Sequence, residues 1–179
     1  MQKDANFPPL FTAADAGVSF ALKNSVFKKK SEIGKNMENL EKRISASLAN
    51  GAEYLAMGEI AANTGLFVSQ APRNNANYDV VVNNHDLTKG CRVEVKHSRS
   101  GFKANISGNE YDFLIFIYAP SEIKNGGVLP SSEREIYVFP QEVVESTPKG
   151  KTGKNFNPKY IEDYEKYKNK FSQILDACT

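Results

Sequence analysis

Asp112 to Tyr118 is the most apolar run in the chain. An unbroken apolar strand has no polar side to offer to water, so it belongs at the centre of a sheet covered on both faces. The chain of 179 residues must be arranged around it. That length suffices for one substantial core and is too short for two ordinary domains.

The neighbouring segments supply the rest of such a sheet. Leu66-Phe67-Val68, Tyr78 to Asn83 and Cys91 to His97 read as strands, separated by the turn formers of Pro72 to Asn77 and Asn83 to Gly90. Glu135 to Phe139 reads as a last strand, after which Pro140 opens a short helix. From about Met37 to Ala62, Leu40, Ile44, Leu48, Ala52 and Leu55 recur every three or four residues. That spacing predicts an amphipathic helix, which Asn50-Gly51 is able to interrupt and Gly65 ends with a left-handed cap. Pro158 to Leu175 predicts a charged C-terminal helix docked by Tyr160, Tyr164 and Tyr167. Residues 1–35 lack clean periodicity and read as an irregular or short-helical arm. The expected organisation is an arm (1–35), a core (36–146) and a basic loop plus helix (147–179) packed on the same single domain. The class is α/β, a central mixed sheet of about five strands flanked by helices.

Several function classes drop out. No run is long and apolar enough to span a membrane, and the N-terminus lacks a secretory pattern. Cys91 and Cys178 lie far apart without metal-ligand spacing, so a reduced, cytoplasmic protein is expected. The net charge of +2 does not announce a nucleic-acid binder. Basic residues cluster locally, at Lys23, Lys28, Lys29, Lys30 and Lys35 and at Lys149, Lys151 and Lys154, as solvated surface or phosphate contacts. Lys149 to Lys154 lacks the Gly-x-x-x-x-Gly-Lys-Ser/Thr spacing and follows no strand, so no nucleotide cofactor is expected.

The chemistry lies in the hairpin of the second and third strands. With its turn centred between Asp86 and Leu87, Asn83 pairs with Gly90, Val82 with Cys91 and Val81 with Arg92. The same count sets Asp79 opposite Glu94, on one face, with β-carbons about 4.5–5.5 Å apart. Lys96, two residues on, shares that face, while Val93 and Val95 point to the core. A turn of this length can shift by one residue, so the register is an assumption. Opposed carboxylates repel unless a divalent cation sits between them, and magnesium selects hard oxygen ligands. Such a cation polarises a phosphodiester, and a lysine beside it positions or deprotonates water and offsets developing charge.

Glu-x-Lys alone is a weak signal, and Glu122-Ile123-Lys124 repeats it, with Asp112 ten residues upstream. That copy lies between Ala119-Pro120-Ser121 and Asn125-Gly126-Gly127, which predicts a turn where nothing holds its side chains. The competing reading of Arg92, Glu94 and Lys96 is the polar side of an ordinary edge strand.

Gly51-Ala52-Glu53-Tyr54-Leu55-Ala56-Met57-Gly58-Glu59-Ile60, Gly65, Tyr78-Asp79-Val80-Val81-Val82 and Arg92-Val93-Glu94-Val95-Lys96 together resemble the PD-(D/E)xK nuclease superfamily. The chain looks closest to the branch of small restriction-like and group I intron homing endonucleases. The segments from Tyr111 to Ile117 and from Glu135 to Pro140 are similar to those after that branch's active site, so the resemblance covers roughly 45–145. It implies a restriction-endonuclease-like core with Asp79 and Glu94 as metal ligands, aided by the Val95 carbonyl, and Lys96 as the catalytic lysine. The family's helix glutamate falls on Glu53, with Glu59 as rival; six residues turn a helix by roughly 600°, so the two cannot easily aim at one point. Tyr78 stands where the motif has proline.

The expected function is a Mg2+-dependent endonuclease, with Mn2+ as substitute, acting on double-stranded DNA as a homodimer and of restriction or homing type. A Holliday-junction resolvase, a repair nuclease and a non-catalytic DNA-binding subunit are the alternatives. Arg73, Arg99 and Lys103 are candidate phosphate contacts. His85 and His97 are read as ordinary polar residues.

Overall fold

The computed structural model describes residues 13–72, 77–106, 110–124, 127–130, 132–148 and 155–179, with the side chains of 13–33 excluded. The chain divides into two units, Met1–Arg43 and Ile44–Thr179. A single helix, α1, runs through Ala13–Thr64. It corrects two expectations. Of the arm expected over 1–35 as irregular or short-helical, the described part from Ala13 is helical and continuous with the helix that follows, because apolar periodicity reports a buried face and not helicity itself. Lys, Ala and Glu favour helix without any stripe. The helix also continues through Asn50-Gly51, where Ala52, Ala56 and Ile60 are buried and their packing offsets the roughly 1 kcal/mol cost of glycine. Met37 and Leu40 remain 60 % and 41 % exposed, so the buried stripe is shorter than the spacing predicts. Gly65 ends the helix at φ +71°, its N–H donating to the Ala61 carbonyl, as a left-handed cap requires.

The second unit carries nine strands among the described residues: β1 Phe67–Gln70, β2 Val80–Asn83, β3 Gly90–Ser98, β4 Ala104–Asn105, β5 Phe113–Tyr118, β6 Ser121–Lys124, β7 Gly127–Pro130, β8 Glu135–Pro140 and β9 Asn155–Phe156. Five form a mixed sheet in the order β1-β2-β3-β5-β8. Only β3 and β5 are parallel; the other neighbours run antiparallel. The expected α/β architecture of five core strands is therefore the one observed. The Asn84–Lys89 turn sets the hairpin register: Asn84 N–H donates to the Lys89 carbonyl, and Leu87 takes the left-handed φ of +60°. Gly90 is needed where that turn closes, because a Cβ there would lie 2.7 Å from the Val82 carbonyl oxygen.

β5 sits between β3 and β8, buried along Phe113 to Ile117. Its odd-numbered residues face a cluster that includes Ala52, Ala56 and Ile60 of α1 together with Phe171, Ile174 and Cys178. Its even-numbered residues, Leu114 and Phe116, face Tyr137, Phe139, Phe156 and Val144. Val144 belongs to α2 (Gln141–Ser146), which follows Pro140 as expected.

Two further expectations fail. The charged helix over Pro158 to Leu175 is instead two 3-10 turns, Pro158–Tyr160 and Tyr164–Tyr167, and a short α3, Ser172–Cys178. Asp163 and Asn169 adopt left-handed φ values of 53° and 52°, each of which breaks an α-helix. Tyr164 and Tyr167 do dock, against Tyr137 and Phe139, but Tyr160 is 63 % exposed. Glu122-Ile123-Lys124 is not a turn: it is β6, paired with β7 in a separate two-stranded ribbon. The β-propensity of Ile123, Val128 and Leu129 outweighs the turn formers around them.

Candidate active site

The site grows from the point where β2 stops and β3 continues. β2 and β3 pair Val80 with Val93, Val81 with Arg92, Val82 with Cys91 and Asn83 with Gly90, as the turn count predicts. One residue further the ladder departs from that count. Asp79 N–H donates to the carbonyl of Val93, which already pairs with Val80, so Asp79 and Val80 both stand against Val93. This bulge replaces the expected pairing of Asp79 with Glu94 while leaving the two carboxylates beside each other. β2 ends there, so Val95 loses its backbone partner on that edge. The Asp79 carboxylate replaces it, Oδ2 accepting from Val95 N–H at 2.8 Å. Backbone groups of alternate strand residues face the same neighbour. Arg92 and Ser98 carbonyls accept from Asp112 and Ala119 on the β5 side, which leaves the Val95 carbonyl directed past the end of β2.

Glu94 is 3 % exposed, the one charged side chain in the core among the described residues. Burial pushes its pKa up to about 7; the Lys96 ammonium, in ion-pair contact with Oε1, opposes this, and Asp79 beside it adds to it. A cation near both carboxylates would relieve that strain on the charged form. Among the described residues, no three His, Cys, Asp or Glu side chains converge closely enough to hold a metal ion. The donor set is two carboxylates and a backbone carbonyl, all oxygen. That fits magnesium, which usually takes one or two carboxylates and completes its shell with water and substrate phosphate.

Glu53, Asp79, Val95 and Lys96 line a cleft of about 390 Å3. Glu94 is not among the residues that line it. Glu53 is held by Gln70, whose Nε2 donates to its Oε2 at 3.0 Å. Glu59 does not line the cleft and accepts from Asn63 instead. Of the two helix carboxylates, Glu53 is the one at the cleft. Arg99 also lines it, with Ser98 and Ser100 beside it. Lys103 does not, and Arg73 lies outside the described residues, as do Lys149, Lys151 and Lys154. His97 shares the lining, and burial with the adjacent Arg99 holds it below the ordinary histidine range. His85 stacks edge-on against Phe67 in the turn region, away from the cleft.

Sequence reasoning misses Gln70, and no local signal would have found it. Its role follows from β1 lying next to β2, with Gln70 opposite Val80, so that its side chain reaches α1.

No known family model matches the chain, and no curated protein matches it. Among solved structures, a bacterial homing endonuclease, I-Ssp6803I, is similar over 75 % of this chain and 92 % of its own, with 18 % identity and a TM-score of 0.45. A likeness this remote identifies no family. No helix among the described residues is long and apolar enough to cross a membrane.

Proposed function

We propose that this chain is a divalent-cation-dependent endonuclease of PD-(D/E)xK type that hydrolyses phosphodiester bonds in double-stranded DNA. The observation that carries the reading is the meeting of Asp79, Glu94 and Lys96 where β2 ends. A buried glutamate beside a second carboxylate is costly in a structural strand, and it becomes useful once a cation is held there.

Asp79, Glu94 and the Val95 carbonyl are the residues that would hold Mg2+, or Mn2+ in its place. When bound, such an ion supplies a Lewis acid for the phosphoryl oxygen and lowers the pKa of water. Lys96, in ion-pair contact with Glu94 and lining the cleft, would orient the attacking water and offset negative charge developing on the phosphoryl group. Glu53, fixed by Gln70, closes the acidic wall of the cleft on the helix side. Arg99 contacts a backbone phosphate at the cleft rim. One such site cuts one strand, so a homodimer suits cleavage of both strands, and a restriction-type role is favoured over a homing one.

Supercoiled plasmid incubated with the protein and Mg2+ should be nicked or linearised, and Lys96→Ala should abolish this. Equal cleavage by that variant would defeat the assignment.

A further inference from the structure

Glu53 and Asp79 have a second side. Besides the cleft that contains Lys96 and Arg99, the same two carboxylates line a separate cavity of about 340 Å3, with Asn50, Tyr54, Gln70 and Tyr78. The two hollows share a wall and differ in chemistry. The cleft carries cationic side chains, whereas none of the described residues lining the second cavity is cationic. Arg92 stands over the Tyr78 ring, 6.0 Å from its centroid, but is paired with Asp112, so the two carboxylates dominate the described lining and disfavour a phosphate. The second cavity therefore suits a neutral, hydrogen-bonding group that sits next to a phosphate in the same ligand.

The surface of the cavity says which group. Glu53 and Tyr54 stand three and four residues after Asn50 on α1, so both neighbour Asn50 on the helix surface. Tyr54 is 63 % exposed, an aromatic ring left at the rim of a polar hollow. Gln70 already gives its Nε2 to Glu53, which fixes the wall and leaves Asn50 as the amide able to read a ligand. A ring face beside a primary amide is the pair of features that engages a nucleobase: the ring stacks, and the amide offers a donor and an acceptor side by side.

The geometry points to this cavity as a base-reading subsite for a nucleotide adjoining the scissile phosphate and turned out of the duplex stack, with Asn50 matching an adenine edge and Tyr54 stacking on its ring. The inference rests on the nuclease reading above and deepens it, because it names residues that choose where the cut falls. Amide pairing favours adenine, whose N7 acceptor and N6 donor match an asparagine side chain.

The test is cleavage of a duplex pool with randomised sequence by full-length protein in Mg2+, followed by sequencing of the product ends. Wild type should show an adenine preference at one position adjoining the cut. Asn50→Ala and Tyr54→Ala should each reduce that preference by roughly tenfold at that position while cleavage of the pool continues, and Tyr54→Phe should keep it. Both positions are exposed, and unchanged melting temperatures would exclude a folding defect. A base profile unaltered in both variants, or a wild-type profile flat at every position next to the cut, would overturn the subsite and leave the nuclease reading intact. Absence of any cleavage by wild type would overturn the nuclease reading and the subsite with it.

Discussion

Two stretches of this chain have the pattern Glu-x-Lys on a β-strand, and they sit in different settings. Glu94 and Lys96 lie on β3, inside the five-stranded sheet, with Glu94 buried and the Asp79 carboxylate beside it. Glu122 and Lys124 lie on β6, in an isolated ribbon, both exposed, with Leu129 and Gly127 opposite them. The acid ten residues upstream of the second copy, Asp112, is spent elsewhere: it accepts from the Arg92 N–H at 2.7 Å and pairs with the guanidinium. Strand residence is thus not what separates the two. What separates them is a neighbouring strand that stops one residue short, so that a carboxylate takes over the backbone's hydrogen bond and meets the buried glutamate. A dipeptide spacing records none of that.

The contrast can be broken by mutation. Asp79→Asn and Lys96→Ala should each lower the plasmid cleavage rate by at least about a hundredfold, the size expected for groups that stabilise developing charge. Glu122→Gln and Lys124→Ala should leave it within about twofold, as solvated surface positions do. A loss of activity in the second pair matching the first would erase the distinction.

A smaller effect concerns pH. Glu94 is held above its ordinary value of 4.5, up to about 7, by burial first and by Asp79. Below pH 4.5 both folded and unfolded chains carry the proton and stability is at its fullest with respect to this group. As pH rises to about 7 the unfolded chain loses its proton first, and folding of the metal-free protein should weaken by up to about 3 kcal/mol. Denaturant melts at pH 4.5 and pH 8 in chelator should show that fall, and Glu94→Gln should flatten it. A slope unchanged in Glu94→Gln would mean that other groups set the pH dependence.

The smallest effect is on stability at β6. Glu122→Gln should change the unfolding free energy by no more than about 0.5 kcal/mol at any pH, because its charge is already solvated. Thermal melts of that variant beside Glu94→Gln give the comparison directly. A shift as large as that at Glu94 would place Glu122 in a structured acidic cluster.

How much of this was legible beforehand follows the same line. The hairpin register could be counted from Asn83 and Gly90 and holds as far as Val80 and Val93, but the bulge at Asp79, which brings its carboxylate beside Glu94, leaves no mark in that count. β5 was legible because an unbroken apolar run has only one place in a sheet. The C-terminal region was not, since left-handed backbone at Asp163 and Asn169 leaves no mark in apolar spacing. Nor was the helical character of Ala13 onward, where no buried stripe records it. Gln70 could not be read at all: its value comes from a contact across 17 residues of chain, made by folding.

Calorimetric titration of the purified protein with Mn2+ addresses the cation site without relying on a choice of DNA. Wild type should bind the ion with measurable heat, Asp79→Asn and Glu94→Gln should each lose that binding, and Glu122→Gln should retain it. Equal binding by all four proteins, or none by wild type, would contradict a cation held between the acids of β3 and the end of β2.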